Sequence, residues 1–301
     1  METAATLQSP PGVLNETLLC RHAYALEVSG YTVLPQQVGA EELSVLRGET
    51  DEALDAAFSA LRAGRKLKYL FNTPYYGGTR CMYCWGDGCL RLLDLESIHA
   101  LAAKTMGSYW LWDQPAVAAL PTPRDAKKAA TGWHRDFGGM LHGTRTPAYL
   151  WFFLCLDDTT PENGATWVVP GSHRADARFE PVENLHLNCD WKLFPTRTQV
   201  CARAGDMLVM NPTVLHSSGD NHSAHPRRLL NVGVCSRTLR PLLNHWAIAG
   251  EALQSRVSAR VAKFMGAEDQ HRESAWEAPF GALDTTWTLL PEGWNEKKVK
   301  G

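Results

Sequence analysis

A histidine and a carboxylate one residue apart, His134 and Asp136, are the side chains whose types and spacing first indicate chemistry. If this segment is extended, side chains at i and i+2 leave the same face of a strand, while Arg135 points away. Two metal ligands would then be directed at one point. One imidazole and one carboxylate are two thirds of the facial set of two histidines and a carboxylate, which holds Fe(II) and leaves coordination positions open. The chain must therefore supply a second histidine.

His216 is the predicted third ligand because of its sequence context. It follows the apolar stretch Val209–Leu215 and precedes the turn Ser217–Asn221, which places it near the start of a strand. It lies 216 − 134 = 82 residues after His134, so the fold must bring the ligands together, as in catalytic sites and unlike compact zinc loops. Four competing histidines lie in polar turns, where an exposed or hydrogen-bonded histidine is the commoner outcome: His142, His173, His222 and His225.

The elements that must position these ligands are mostly strands. Short apolar runs alternate with turns through the middle of the chain, namely Tyr109–Trp112, Tyr149–Leu156, Ala165–Val169, Met207–Met210 and Leu229–Cys235. The second of these runs is apolar throughout, which is typical of a strand buried on both faces. Such a series predicts a mixed α/β fold with a mainly β core, either a sandwich or a barrel-like double sheet, and with helices packed outside.

Supporting elements are predicted on both sides of this core. Apolar residues recur at helical spacing in Glu41–Arg62 and again in Asp94–Met106, and Tyr31–Leu34 indicates a short strand. Residues 1–20 are predicted to be an arm or loop, and the aromatic, Gly-rich segment Lys68–Gly88 is predicted to be a loop. The segment Pro241–Met265 is predicted to be mainly helical.

One domain covering residues 1–301 is expected from this organisation. It would consist of an N-terminal support of helices and loops (1–105), a β core (about 106–240) and a C-terminal helical segment (241–301). No internal repeat is detectable.

Composition and charge exclude several classes of protein. The apolar share of 45% and the charged share of 21% are those of an ordinary globular chain, so disorder is not the default expectation. Thirty Lys and Arg against 32 Asp and Glu provide no basic excess for nucleic acid or an anionic membrane. The first residues lack the pattern of a signal peptide, and no apolar run approaches the roughly 20 residues of a membrane span. We therefore expect a cytoplasmic protein.

The eight cysteines are irregularly spaced, which in a chain of 301 residues favours thiols over a disulfide framework. Cys81, Cys84 and Cys89 form the tightest group, and their spacing raises the alternative of a structural zinc site. Such a site normally needs a fourth soft ligand from a second, similarly spaced pair, and none is evident. We predict packed or loop thiols.

Several motifs follow one another in a fixed order around the ligand candidates. They are Trp133–Asp136, Glu162–Thr166, Pro170–His173, Ala204–Leu208, and then His216, Asn221 and Arg227. In this order they resemble the phytanoyl-CoA dioxygenase family over roughly residues 100–245. The resemblance implies an Fe(II)- and 2-oxoglutarate-dependent oxygenase built on a double-stranded β-helix, a jelly-roll, cupin-like barrel with flanking helices. Within the family, the sequence is most similar to tailoring enzymes of natural-product pathways.

The resemblance also implies roles for individual residues. His134, Asp136 and His216 would be the iron ligands and the catalytic centre. An arginine eleven positions after the distal histidine, 216 + 11 = 227, would anchor the far carboxylate of 2-oxoglutarate. A planar guanidinium suits that role because it holds a carboxylate through two parallel charge-assisted hydrogen bonds. Strand alternation puts Arg227 and Arg228 on opposite faces, and only the family spacing favours Arg227.

One position departs from the family pattern. Related tailoring enzymes often place Gln three residues before the first iron-binding histidine, where it helps to hold the cosubstrate, and this chain has Thr131 there. Threonine still donates a hydrogen bond but reaches less far, so Thr131 is a secondary cosubstrate candidate. Asp136 fills the carboxylate position that a halogenase leaves open for halide, which argues against halogenation.

The expected function is oxidation of an unactivated C–H bond of a small molecule with O2, by hydroxylation, desaturation or oxidative ring closure, with release of succinate and CO2. Related tailoring enzymes also suggest a homodimer. Two alternatives stay open. A cupin-type metal enzyme with the same triad would not use 2-oxoglutarate, and would keep its activity in Arg227→Ala. A jelly-roll binding protein with structural histidines would bind no stoichiometric iron.

Overall fold

The computed structural model describes residues 11–64, 75–125, 132–136, 147–174, 194–241 and 243–268. The helices and strands in these ranges are, in chain order, α1 (Glu16–Ser29), β1 (Tyr31–Leu34), α2 (Ala40–Arg62), β2 (Tyr76–Thr79), α3 (Asp87–Leu92), α4 (Glu96–Met106), β3 (Tyr109–Asp113), β4 (Ala116–Ala119), β5 (Tyr149–Cys155), β6 (Thr166–Val168), β7 (Thr198–Val200), β8 (Met207–Met210), β9 (His216–Ser217), β10 (Arg227–Ser236), α5 (His245–Gln254) and α6 (Ala259–Phe264).

The strands form a mixed α/β fold with two antiparallel sheets. The major sheet has the order β1-β8-β5-β10-β4-β2, and β3 also pairs with β10; the minor sheet has the order β7-β6-β9. The long strand β10 pairs with β5 on one side. On its other side it pairs first with β4 and then with β3, and the register of the β3 pairing shifts between Gly233 and Val234. The mixed fold with its β core is as predicted.

The two faces of the major sheet pack against different partners. Leu150, Phe152 and Leu154 of β5 join the large core shared with the helices. Their neighbours Trp151 and Phe153 point to the opposite side, which we call the inner face of the sheet. Apolar residues of the minor sheet pack on this inner face. Strand β5 thus has partners on both faces, as its continuous apolar run predicts, although Trp151 and Phe153 are only partly buried.

Two expectations for the N-terminal part are wrong. Residues 16–20 belong to α1, because Asn15 caps the helix by accepting a hydrogen bond from the Leu18 N–H at 2.9 Å. Gly30 ends the helix in a left-handed conformation, with φ of 81°. The segment Lys68–Gly88 is not simply a loop. Residues 65–74 lie outside the described residues, but the rest contains β2, a 3₁₀ turn at Met82–Cys84 and the start of α3.

The other predicted elements agree with the structure within a few residues. The predicted helices correspond to α2 and α4, and the strand Tyr31–Leu34 is β1. The C-terminal segment contains α5 and α6, which are separated by a break at residues 255–258. Within the described ranges, no helix combines the length and apolar character needed to cross a membrane. The division of the chain into support, core and C-terminal segment stays a prediction.

Candidate functional site: a cluster of two histidines and a carboxylate

The segment that carries His134 and Asp136 is extended and held by backbone hydrogen bonds. His134 and His216 pair as an antiparallel bridge, with two reciprocal N–H to C=O bonds of 2.9 Å each. The Asp136 N–H donates to the Pro212 carbonyl at 2.9 Å. The short strand β9 therefore aligns its own histidine beside the segment that carries the other two side chains. This pairing is the tertiary contact that joins residues 82 positions apart.

The three predicted ligands come together at one point. Nε2 of His134 lies 3.6 Å from Oδ1 of Asp136, and Nε2 of His216 lies 3.9 Å from the same oxygen. The two imidazole ring centroids are 4.2 Å apart. Among the described residues, this is the group of His, Cys, Asp and Glu side chains whose ligand atoms are close enough together to hold a metal ion. The cysteine group at positions 81, 84 and 89 is not part of it.

Backbone carbonyls orient both imidazoles. Nδ1 of His134 lies 2.7 Å from the Gly132 carbonyl oxygen, and Nδ1 of His216 lies 2.8 Å from the Val214 carbonyl oxygen. A carbonyl accepts only, so each Nδ1 carries the proton and each Nε2 presents its lone pair toward Asp136. Metal-binding histidines typically have this second contact, which fixes both the tautomer and the ring direction.

The protonation of His134 also suits a metal ligand. Burial and, to a smaller extent, the neighbouring His216 together lower the pKa of His134 to about 4, against the opposing effects of Asp136 and the Gly132 carbonyl. The imidazole is therefore neutral at pH 7. A neutral imidazole is the form that coordinates a metal ion.

Arg135 points away from the cluster, as its position between two same-face residues predicts. Its guanidinium donates to the Ser172 carbonyl at 2.6 Å and also to the Thr213 carbonyl. Burial lowers the pKa of Arg135 to about 10, so the side chain stays charged at neutral pH. Arg135 thus ties the ligand-bearing segment to the loops before β9.

Trp151 contacts the carboxylate ligand, and no sequence motif had singled it out as a site residue. Its indole Nε1–H donates to Oδ2 of Asp136 at 2.9 Å. This contact joins strand β5 to the separate segment 132–136, so local sequence patterns carry no signal for it. The other carboxylate oxygen, Oδ1, is the one that lies toward the two histidines.

Arg227 and Arg228 have opposite environments. Arg228 is engaged by two carboxylates: its Nη2 lies 2.7 Å from Asp157 and its Nη1 lies 2.6 Å from Asp51. Arg227 is 1% exposed. Among the described residues its guanidinium makes one hydrogen bond, from Nη2 to Ser218 Oγ at 3.1 Å, and its Nε has no partner. A buried, under-bonded guanidinium has donors available for a bound anion.

The register places Arg227 on the inner face of the major sheet. Asn231 and Phe153 are directly opposite each other across the β10–β5 pair, and Phe153 belongs to the inner face. Residues 227, 229, 231 and 233 share a side of β10 because side chains alternate along a strand. Asn231 is 3% exposed and its Oδ1 also lacks a hydrogen-bond partner among the described residues. The inner face therefore carries two buried polar side chains with unused hydrogen-bonding capacity.

The remaining candidate residues lie elsewhere or outside the described residues. Nε2 of His173 lies 3.0 Å from the Glu27 carbonyl oxygen, and Nδ1 of His222 lies 3.4 Å from the Thr122 carbonyl oxygen. His225 is exposed in a turn. Thr131 and His142 are outside the described residues. A cavity of about 730 Å³ lies beside α2 and is lined by Asp51, Asp157 and Arg228 among others, but by none of the three clustered ligands.

Comparisons with known proteins agree with this geometry. The sequence model of the family described as phytanoyl-CoA dioxygenase matches residues 26–229. Dioxygenase FUM3 of Gibberella moniliformis is 26% identical over 208 residues, which are 64% of this chain and 64% of FUM3. Dioxygenase ALT11 of Alternaria alternata is 26% identical over 235 residues, 73% of this chain and 67% of ALT11. The chain thus spans about two thirds of the length of these relatives.

A solved structure shows the same fold. The non-heme alpha-ketoglutarate-dependent carbocyclase SnoK from nogalamycin biosynthesis matches with a TM-score of 0.57 and 20% identity. The match covers 83% of this chain and 94% of SnoK.

Proposed function

Because the chain belongs to the phytanoyl-CoA dioxygenase family, a family of iron- and 2-oxoglutarate-dependent oxygenases, we propose that it oxidises an unactivated C–H bond of a small molecule in natural-product biosynthesis. The outcome would be hydroxylation, desaturation or oxidative ring closure, with release of succinate and CO2. The observation that carries the proposal is the convergence of His134, Asp136 and His216 on one point, with both imidazoles oriented by backbone carbonyls.

The side chains present fit the groups that this chemistry needs. Two imidazoles and one carboxylate are the facial donor set for Fe(II). In the proposed assignment, His134, Asp136 and His216 hold the iron and form the catalytic centre. Arg227 anchors the far carboxylate of 2-oxoglutarate; its burial, and its Nε, which has no partner among the described residues, support that role. Thr131 stays a secondary cosubstrate candidate.

Iron, 2-oxoglutarate and O2 together supply the oxidising chemistry when they are bound. The protein's own part is to bind, orient and exclude water. The carbonyls of Gly132 and Val214 keep each Nε2 directed at the metal position. Arg227 would hold the far carboxylate of the cosubstrate through its guanidinium. Phe153 and Leu229 contribute apolar surface on the same side of the sheet as Arg227.

Further features belong to the same proposal. We propose that the two sheets are the two faces of a jelly-roll barrel and that residues 1–301 form one domain. We also propose that the substrate is a small molecule and that the protein forms a homodimer. A cytoplasmic location stays a prediction from the sequence.

An anaerobic titration tests the proposal. Fe(II) is added to the metal-free protein in the presence of 2-oxoglutarate, and the weak visible charge-transfer band of the iron chelate is recorded. We expect a band at one equivalent of Fe(II) in the wild type and its loss in Asp136→Ala, because the carboxylate ligand is removed. The matched control is Asp220→Ala, which removes an exposed carboxylate from the turn after β9 and should leave the band unchanged.

The same titration separates the alternatives. Stoichiometric Fe(II) binding without a 2-oxoglutarate-dependent band would favour the cupin-type enzyme. Absence of stoichiometric Fe(II) binding would favour a binding protein with structural histidines. An undiminished band in Asp136→Ala would refute the assignment of the carboxylate ligand.

A further inference from the structure

The two oxygens of the Asp136 carboxylate have different surroundings. Oδ1 is the oxygen that lies 3.6 Å from His134 Nε2 and 3.9 Å from His216 Nε2. Oδ2 accepts the hydrogen bond from the Trp151 indole at 2.9 Å. The carboxylate is therefore divided between a metal-facing oxygen and an oxygen engaged by the protein.

Trp151 is held firmly enough to control this orientation. It lies in β5, a strand paired on both sides, and it is directly opposite Gly233 of β10 and Met210 of β8. Its ring packs edge-to-face on Tyr149, with centroids 5.2 Å apart, and lies 5.8 Å from Phe153. An indole fixed by neighbours on two strands keeps its N–H directed at one place.

Gly233 provides the room in which the indole lies. A Cβ at position 233 would be 2.8 Å from Cζ3 of Trp151 and closer still to the Tyr149 hydroxyl. Real Cβ atoms essentially never approach other heavy atoms that closely. Any side chain at this position would have to displace the two rings, and the Trp151 N–H would move with its ring. The absence of a side chain at 233 is therefore part of how Trp151 reaches Asp136.

We infer that Trp151 is a positioning residue that restricts Asp136 to binding iron through Oδ1 alone. This inference rests on the proposed function, because it concerns the same metal ligand. A carboxylate that binds through both oxygens occupies two coordination positions, whereas one that binds through a single oxygen occupies one. The indole bond thus preserves an open position for the cosubstrate and O2, which is what distinguishes a facial triad from a closed metal site.

Loss of the indole bond should change metal binding in a measurable way. In Trp151→Phe an aromatic ring remains but the N–H is lost, so the carboxylate can rotate and offer both oxygens. Removing a group that orients a metal ligand typically lowers metal affinity by about 10–100-fold. We expect the dissociation constant for Fe(II), measured anaerobically, to rise about tenfold, and the chelate band with 2-oxoglutarate to shift in energy and lose intensity.

Trp110→Phe is a matched control. Trp110 also donates an indole hydrogen bond of 2.9 Å, but to the Leu239 carbonyl and away from the metal ligands. The same chemical change is thus made without touching Asp136. We expect the Fe(II) dissociation constant of Trp110→Phe to stay within about twofold of wild type and its chelate band to keep its energy.

Gly233→Ala is a second test that keeps the indole in the protein. The added methyl group displaces the Trp151 and Tyr149 rings, so the bond to Asp136 lengthens although Trp151 is present. We expect the same band shift as in Trp151→Phe, in the same direction. If both variants shift the band in the same direction, the position of the Trp151 N–H determines the geometry of the iron chelate. A folding defect in only one of the variants would not produce this agreement.

Crystal structures with Mn(II) bound give the decisive geometry. In the wild type we expect Oδ1 of Asp136 alone on the metal, with Oδ2 on Trp151; in Trp151→Phe we expect both oxygens on the metal. A carboxylate bound through one oxygen in Trp151→Phe, together with unchanged Fe(II) affinity, would overturn the inference and leave the proposed function standing. Failure of the wild type to bind Fe(II) would instead overturn the proposed function.

Discussion

Replacing Arg227 with methionine should move cosubstrate affinity and protein stability in opposite directions. The Arg227 side chain is 1% exposed, and within the described part of the chain its guanidinium makes one hydrogen bond, to Ser218, while its Nε has no partner. Burial lowers the pKa of Arg227, which reflects the cost of keeping the cation out of water. Methionine removes that cost and fills a similar volume.

The magnitudes follow from these contacts. A buried polar group without its partner costs about 1–3 kcal/mol, and replacing a buried charge with a packed apolar side chain is often neutral or stabilising. At about 2–4 °C per kcal/mol for larger domains, we expect Arg227→Met to raise the midpoint of thermal unfolding of the ligand-free protein by about 2–12 °C. Loss of two charge-assisted hydrogen bonds, each about 1.5–3 kcal/mol, should weaken 2-oxoglutarate binding at least about 100-fold.

The assay is thermal unfolding of the Mn(II)-loaded protein with and without 2-oxoglutarate, supported by direct titration of the cosubstrate. The matched control is Arg228→Met, on the next residue and the opposite face. Hydrogen bonding to Asp157 raises the pKa of Arg228, and the side chain is paired with Asp157 and Asp51. Arg228→Met should therefore lower stability and leave 2-oxoglutarate affinity unchanged. Lower stability of Arg227→Met together with unchanged cosubstrate affinity would refute the reasoning.

Two further predictions concern the supporting structure. Burial lowers the pKa of His245, so below about pH 6.5 this histidine takes up a proton in the unfolded chain before it does in the folded protein. We therefore expect the free energy of unfolding, measured by urea titration, to fall between pH 7.5 and pH 5.5, and to fall less in His245→Phe. An equal fall in the two proteins would contradict the prediction. Glu49 accepts hydrogen bonds from the N–H groups of Gly88 and Cys89 at 2.9 and 2.7 Å. Glu49→Ala should therefore lower the free energy of unfolding by about 2 kcal/mol. The control Glu52→Ala, which removes an exposed carboxylate from the same helix, should change this free energy little.

The sequence predicted the regular elements whose burial pattern is simple. Helix α2 and strands β5 and β10 have strong apolar patterns, because each buries a continuous face. Strand β2 was missed because Gly77 and Gly78 are typical of turns, yet a Cβ at Gly78 would be 2.9 Å from a Val117 methyl carbon and closer to the Ala116 carbonyl. The tight pairing of β2 with β4 leaves no room for a side chain at Gly78, and only the tertiary structure shows this close approach.

Helix α1 was missed for a different reason. Asn15 is a good N-cap, and Gly30 is a good C-terminal stop, so both boundary signals are present in the sequence. The polar and proline-rich composition of the first residues outweighed them in the sequence interpretation. Boundary residues were the better guide here, because capping is local and needs no tertiary partner.

In the candidate site, too, some features follow from local sequence and others only from the tertiary structure. The common direction of His134 and Asp136 follows from a single extended segment, and so does the outward direction of Arg135. The bridge between His134 and His216 and the hydrogen bond from Trp151 to Asp136 join distant segments. Nothing within a few residues of Trp151 distinguishes it from a core tryptophan, so periodicity could not assign it a role.

The choice between Arg227 and Arg228 depends on which face of β10 lies under the helices. In the structure, the even positions Leu230, Val232 and Val234 belong to the core under the helices, whereas Asn231 shares its side of the strand with Arg227. A strand cannot slip by one residue without exchanging its two faces, so this burial pattern directs Arg227 to the inner face and Arg228 away from it. The odd positions also include the buried apolar residues Leu229 and Cys235, so the alternation alone does not select one arginine, and in the sequence only the family spacing favours Arg227.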